Sequence, residues 1–385
     1  MRRRTILAMA LVAAAIAPAP SAAADDSVFG IRGLGLMGRP LSARAAGAGG
    51  AFALFDPGTA LNPSALGLFR SPAGWAVSAS SWWRYDGGAS SAALGSTRFP
   101  LFGFASPVGR KLTVSFAVSD YLDRSWAVRT TKDTVLRSDT VTFEDEARSS
   151  GGVSDLRLGA AYTVSPVLTV GAGLHVLSGS TRLSVERTFT MADSSATYVD
   201  YSDLAVTDFS GWGASVGAQL RIGNRMAASA TARVNSRLKA AATNGATARV
   251  SMPAEFSAGL MFAPAARTTI ALSVGRQTWE RAADDLEAAG QERSRSVWSV
   301  AVGGEYENAP LLGGRFPVRA GYRWRQLPFR ANGATLDERA FSAGIGFSFA
   351  EGRAVLDVGV DSGRRSAGAT SERFTTAFVG VTIRP

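Results

Sequence analysis

A side-chain alternation of period two, held over nine to thirteen residues at a time, constrains this chain more than any other feature. In residues 155–164, Leu156, Leu158, Ala160, Tyr162 and Val164 fall on one face and Arg157, Gly159, Ala161 and Thr163 on the other. Leu168, Val170, Ala172, Leu174 and Val176 likewise oppose Thr169, Gly171, Gly173 and His175. Val250, Met252, Phe256, Leu260 and Phe262 oppose Ser251, Glu255, Ser257 and Gly259, and Phe341, Ile345, Phe347 and Phe349 alternate with Ser342, Gly344, Gly346 and Ser348. Such alternation is strand. Soluble strands cluster near five or six residues, whereas a tilted membrane strand needs about 9–11. On 296–306 the apolar face reads Trp298, Val300, Val302, Gly304, Tyr306, with an aromatic at each end. That spacing fits the two aromatic girdles of a barrel whose apolar face meets lipid and whose polar face lines a lumen.

The ends and the composition narrow the setting. Arg2, Arg3 and Arg4, the apolar run from Ile6 to Ala17 and the small residues Ser21–Ala24 have the layout of a secretory signal peptide, with cleavage expected after Ala24. There is no cysteine, so neither disulfides nor cysteine-ligated metal are available, and His175 is the only histidine. No metal site, cofactor or catalytic residue is expected, and an enzymatic role is not. The formal net charge is +10, yet the arginines are scattered singly along strands rather than gathered into a patch. Nucleic acid is therefore not an expected partner.

Turn chemistry supplies a topology. Short connections near Pro107–Lys111, Ser165–Pro166, Gly223–Arg225, Pro264–Arg267, Asn308–Gly314 and Glu351–Arg353 alternate with longer polar ones at 123–152, 192–203, 282–293, 327–336 and 363–372. Fourteen strands are expected, from 73–85 to 372–384. The expected fold class is all-β, a transmembrane antiparallel barrel of about fourteen strands. Its expected domains are a signal peptide at 1–24, an N-terminal plug at 25–72 and the barrel at 73–385.

Residues 25–71 do not alternate. They carry Gly33-Leu34-Gly35, then Ser42-Ala43-Arg44-Ala45-Ala46-Gly47-Ala48-Gly49-Gly50-Ala51, then Asp56-Pro57-Gly58-Thr59-Ala60-Leu61-Asn62-Pro63-Ser64-Ala65. This segment resembles the N-terminus of the FadL-type outer-membrane transporters of hydrophobic compounds. Met252-Pro253-Ala254-Glu255 with Gly259 is similar to the family's Pro-Ala-x-x-x-x-Gly hairpin, and Arg319-Ala320-Gly321-Tyr322-Arg323 to its Arg-x-Gly-Tyr strand. The resemblance implies a hatch inside the barrel, with Arg44, Gly47, Gly49, Gly50, Asn62 and Pro63 as its motif residues. Small residues suit close backbone packing, and Asn62-Pro63 is a turn that can open a short helix. Asp120-Tyr121-Leu122 departs from the family, whose third strand often has Asn-Tyr-Gly beside a kink that opens the wall sideways.

The resemblance implies uptake of a hydrophobic small molecule, whether fatty acid, aromatic hydrocarbon or other lipid, by a monomer in the lipid of the outer membrane. The alternative is a structural or secretion-associated barrel of the same superfamily that holds partner proteins. Leu34, Leu36, Phe52 and Phe55 are the residues expected to hold an apolar tail. If the apolar faces meet lipid, Arg157, His175, Arg233, Arg276, Arg319, Arg323 and Arg325 face the lumen with Glu255, Glu305, Asp357 and Asp361. Arg319, Arg323 and Arg325 share one face of one strand. Two readings stand for them: a cationic rail for a carboxylate head, or partners of the lumen acids and of plug carbonyls. His175 reads as a lumen hydrogen-bonding group.

Overall fold

A computed structural model of the chain describes residues 27–59, 61–86, 93–136, 139–190, 200–311, 313–331, 333–368 and 370–385. The expected signal peptide lies outside the described residues, as do the first two residues of the 25–72 segment. The long alternating stretches form β1 Ala73–Asp86, β2 Ala93–Val108, β3 Leu112–Asp123, β4 Asp139–Thr163, β5 Leu168–Thr190, β6 Tyr201–Ile222 and β7 Met226–Asn235. They continue as β8 Glu255–Ala265, β9 Thr268–Gln277, β10 Val297–Leu311, β11 Gly314–Ala331, β12 Ala334–Phe349, β13 Ala354–Ala367 and β14 Thr370–Ile383. Each strand pairs antiparallel with the next, and β14 pairs back onto β1 from Ser371↔Asp86 to Ile383↔Gly74. Among the described residues, then, fourteen strands close a barrel, the number expected from the alternation and the turns.

The two faces sort as the alternation requires. Phe341 is 70% exposed and Leu174 65%, both outward, while their neighbours Ser342 and His175 are buried on the inner side. Trp298, Val302 and Tyr306 are likewise exposed along β10. The outer surface is thus an apolar band with aromatic margins, the surface a transmembrane barrel turns to lipid.

Three expectations change. The 123–152 connection is not a loop: Trp126–Leu136 is a strand, paired with the first half of β4 from Trp126↔Ser149 to Leu136↔Asp139. Its β-branched residues Val128, Thr130, Thr131, Thr134 and Val135 favour a pleated surface even where the composition is polar. β4 is consequently 25 residues long, more than twice what a membrane crossing needs. At the same end β11–β12 and β13–β14 also run on as hairpins past the expected loop boundaries, to Ala331↔Ala334 and Ala367↔Thr370.

The stretch 224–264 is interrupted. Leu238–Ala242 leaves the register of β7 and pairs with β6 at Lys239↔Ser210, and Thr247–Val250 pairs back on it. Residues 251–254 then carry no strand pairing before β8 begins, consistent with Pro253, which has no N–H to give a ladder. Val250 and Met252 therefore do not share the outer face with Phe256. They are buried in an apolar cluster with Leu34, Tyr121, Leu238, Trp279 and Leu286. Arg276 is also corrected: it pairs across strands with Phe256 and Trp298, is exposed on the outer side, and its guanidinium lies over the Trp298 ring, 5.3 Å from the centroid.

The outer apolar face gives a stability test. Leu174 faces outward opposite Leu158, as the seventh residue of β5. Leu174→Arg should destabilise the folded barrel by about 2–4 kcal/mol in lipid vesicles. Denaturant titration of the heat-modifiable gel band measures this, and an unchanged midpoint would place Leu174 away from lipid.

Candidate functional site

The N-terminal segment lies against the inner face of the barrel. Ser42 caps the helix α1, Ala43–Gly47, by accepting from Ala45 N at 3.0 Å. The turn that follows brings Ala48 onto β11, where a Cβ on Gly321 would stand 2.2 Å from the Ala48 carbonyl. Only glycine at 321 permits that approach. Gly47 meets Gly344 of β12, and Gly49, at φ 70°, backs onto Tyr322 N. Gly50 lies beside Leu41 and Arg39.

On the opposite wall, Asn62 caps the 3-10 turn Pro63–Leu68. Its Oδ1 accepts from Ser64 N (3.1 Å) and Ser64 Oγ (2.8 Å), while Nδ2 donates to Leu54 O and to Ser229 Oγ of β7, both at 2.7 Å. One fully buried amide thus holds two parts of the segment together and binds both to the wall. Pro63 rests on Gly171 of β5.

Charge then ties segment to barrel. Arg44 grips Glu305 of β10 through Nε (3.0 Å) and Nη2 (2.6 Å), with Asp56 3.8 Å from Nη1. Glu305 also accepts from Arg319, whose Nη1 donates to Asp357 at 2.5 Å. Nearer the long-hairpin end, Glu338 is wholly buried and takes Arg323, Arg325 and Arg365 at 2.8–2.9 Å. Arg323 reaches Asp361 (2.6 Å) as well, and Arg365 reaches Glu372 (2.8 Å) and Ser27 Oγ (2.9 Å). Arg319, Arg323 and Arg325 are therefore paired with acids. Of the two readings open for them, the paired one describes their geometry.

A third cluster joins β4 to β8. His175 Nδ1 lies 2.9 Å from both oxygens of Asp155, and Nε2 lies 2.8 Å from Ser215 Oγ. With a carboxylate on Nδ1, that nitrogen carries the proton and Nε2 accepts from the serine hydroxyl. Ser215 is 4% exposed, so the chain of bonds stitches three neighbouring strands at a buried point. Arg233 adds a bond to Asp155 (2.6 Å) and covers the Tyr121 ring at 4.5 Å. Tyr121 Oη in turn donates to Glu255 at 3.2 Å.

Between these clusters lies a cavity of about 190 Å³. Its apolar wall comes from Met37, Leu41, Ala53, Leu54 and Leu61, and its polar wall from Arg39, Tyr121, Asp155, Arg233, Glu255 and Ser257. Arg323 and Arg325 border it, as do Gly49 and Gly50. The four expected tail residues lie elsewhere. Phe52 is beneath the Arg44 guanidinium at 5.4 Å, and Phe55 packs with Leu54 and Ala227. Leu34 belongs to the cluster under Trp279, and Leu36 packs with Phe29, Leu327 and Leu336. Hydrophobicity within the segment cannot distinguish a side chain that anchors it from one that faces the cavity; that depends on how the segment is turned.

The wall is discontinuous beside this cavity. β2 and β3 pair only from Leu101↔Ser119 to Val108↔Leu112. Beyond Ser119 the edge of β3 is taken by Leu36↔Asp123 and Met37↔Leu122 of the N-terminal segment, with Gly38 N donating to Tyr121 O at 2.9 Å. The β3–β4 register also shifts between Asp120 and Leu122. An Arg98–Asp123 ion pair spans the break. The irregularity thus occurs at Asp120-Tyr121-Leu122 without the glycine of the related motif.

No protein-family model and no curated protein matches the sequence. Among solved structures, a FadL homologue of Pseudomonas aeruginosa is similar over 90% of this chain and 99% of its own, at 14% identity and a TM-score of 0.62. The Pseudomonas putida toluene transporter TodX aligns over 90% and 98% (14%, 0.59), and the Ralstonia pickettii toluene transporter TbuX over 90% and 98% (14%, 0.58). The chain has the architecture of a closed fourteen-stranded antiparallel barrel. More particularly, it has the fold of the FadL-type channels, as the sequence resemblance implied.

Glu338 provides the sharpest test of the charge network. Glu338→Ala would leave three buried guanidiniums short of an acceptor and should cost about 3–5 kcal/mol. Denaturant unfolding in detergent checks this; a loss below 1 kcal/mol would mean that solvent reaches these arginines.

Proposed function

We propose that this chain is an outer-membrane channel for small hydrophobic molecules, with the segment 27–72 as its plug. The carrying observation is the partly apolar cavity of about 190 Å³ beside the break between β2 and β3. An apolar cavity of about 150 Å³ accommodates a benzene ring, whereas sites for drug-sized ligands run to roughly 300–1,000 Å³. A monoaromatic body fits that size better than the whole of a long-chain fatty acid. Two of the similar structures, TodX and TbuX, are toluene transporters, which supports the same size class.

The energetics suit a channel. Burying a seven-carbon aromatic is worth roughly 4–6 kcal/mol at about 0.8 kcal/mol per carbon group, which corresponds to a dissociation constant near millimolar or somewhat tighter. A ligand held that weakly leaves again quickly. The break in the wall gives it an exit other than the axis filled by the plug. Arg44, Asn62 and the glycine contacts of Gly47 and Gly49 are the groups that seat the plug.

Two measurements test this reading. Ser257 of β8 borders the cavity, so Ser257→Trp should lower uptake of labelled toluene by intact cells at least tenfold while the barrel remains heat-modifiable. Uptake at the wild-type level would remove the cavity from the route. Deleting residues 44–65 should raise single-channel conductance in planar bilayers several-fold. Unchanged conductance would show that the segment does not obstruct the lumen.

A further inference from the structure

We infer that four arginines in a row across the outer face form a docking site for a membrane lipid that carries two phosphates on a saccharide headgroup. This goes beyond the channel reading and needs only that the outer apolar band meets lipid. The row is a matter of register. Arg84 of β1 stands directly opposite Arg373 of β14, Arg373 opposite Arg364 of β13, and Arg364 opposite Arg339 of β12. Residues directly opposite in an antiparallel sheet share a face. All four are exposed, and Arg339 lies two residues from the outward Phe341.

Like charges directly opposite one another destabilise a sheet, and here three such pairs are consecutive. The next row toward the hairpin tips is Asp86, Ser371, Ser366 and Asp337. The two rows together thus set four guanidiniums against two carboxylates. Arg364 Nη2 also donates to Ser371 Oγ at 2.8 Å, a bond that neutralises no charge. On the inner face of the same strands the arginines are interleaved with acids, as Arg323, Arg325 and Arg365 are around Glu338. The outer row carries no acid between its arginines. An anion from outside the chain completes it.

Position says which anion. The row on the other side of the arginines is Trp82, Thr375, Ser362 and Phe341, with the tryptophan and phenylalanine exposed at its ends. Ser362 Oγ and Thr375 Oγ1 are 3.3 Å apart between them. Beyond lie Ser80, Ala377, Val360 and Ala343. Two aromatic ridges therefore flank a channel floored by small side chains, part of an open groove of about 580 Å³ that the four arginines border. Aromatic margins of the apolar band mark the depth of lipid headgroups. The guanidiniums, about 7 Å further along the strands, stand at the level of phosphates, and the channel at the level of acyl chains. Guanidinium binds phosphate through paired N–H groups. Three strand spacings of ~4.8 Å make the row about 14 Å long. One phosphate covers two neighbouring guanidiniums, whereas two phosphates held apart by a pair of sugar rings cover all four. The three-carbon bridge of a diphosphatidyl lipid holds its phosphates closer together than the row is long.

The test is native mass spectrometry of the full-length barrel in neutral detergent. The probes are an acylated diphosphoryl disaccharide lipid, its dephosphorylated form, diphosphatidylglycerol and inorganic pyrophosphate. Wild-type protein should retain the diphosphoryl disaccharide lipid at least tenfold more tightly than the dephosphorylated form, and more tightly than diphosphatidylglycerol. Arg364→Gln combined with Arg373→Gln should weaken that binding at least tenfold. The same charge removed at the short-turn end, by Arg110→Gln with Arg353→Gln, should leave it within twofold. Heat-modifiable migration establishes that each variant is folded. Equal losses in the two double variants would reduce the effect to net charge and overturn the inference. Equal retention of the dephosphorylated lipid would do the same. Diphosphatidylglycerol bound as tightly as the disaccharide lipid would overturn the saccharide assignment. Displacement of the bound lipid by equimolar pyrophosphate would make the row a site for a free anion and overturn the lipid assignment. The channel reading stands in each case, since none of these measurements involves the lumen.

Discussion

Backbone hydrogen bonding without water is the constraint on which the rest of this structure depends. An unpaired N–H or C=O facing lipid costs several kcal/mol, so a sheet survives there only by closing on itself. The β14–β1 ladder, unbroken from Ser371↔Asp86 to Ile383↔Gly74, is that closure. Once the sheet is closed, the period-two alternation has a single outcome. Leu158, Leu174 and Phe341 go to the outside, and every Arg157, His175 or Ser342 beside them goes to a confined interior.

The interior then has to be filled and neutralised. Fourteen strands enclose more space than their own inward side chains occupy, and those side chains are largely glycine, serine and charged groups. The N-terminal segment supplies what is missing. Its small residues come within backbone distance of Gly321 and Gly344, and Asn62 satisfies both of its amide ends between the segment and Ser229. Arg44 contributes a positive charge to Glu305, a carboxylate it shares with Arg319. Packing and electrostatics therefore select one position for the segment, and the cavity is the space left when that position is taken.

The wall break follows from the same economy of hydrogen bonds. Where β2 and β3 part, the β3 edge does not go unpaired, because Leu36, Met37 and Gly38 complete it from within. One segment thus both packs against the inner face and completes part of the wall. The Arg98–Asp123 pair bridges the same break.

How much of this could be read in advance varies with the range of the interaction. The barrel, its strand number and its inner and outer faces were legible, because alternation and turn residues are local and lipid imposes one solution on them. Arg319 and Glu305 could be placed on the same face, and their pairing was one of two open readings. Misreadings arose where local signals were ambiguous. The Thr-rich stretch 126–136 looked like a polar loop because nothing local reveals that 139–149 will pair with it, and the break at 251–254 turned Val250 and Met252 from the outer face to a buried cluster. What only the tertiary structure decided is which side chains meet the cavity. Phe52 and Phe55 are as apolar as Leu54, yet one lies under Arg44 and the other against Ala227. Arg39, inconspicuous in the sequence, stands at the cavity wall with a shared acid. The sequence by itself determined the closed sheet and its two faces, since period and pairing are properties of the strands alone. The rotation of a short non-repeating segment inside that sheet depends on contacts with many strands at once, and no local pattern records it.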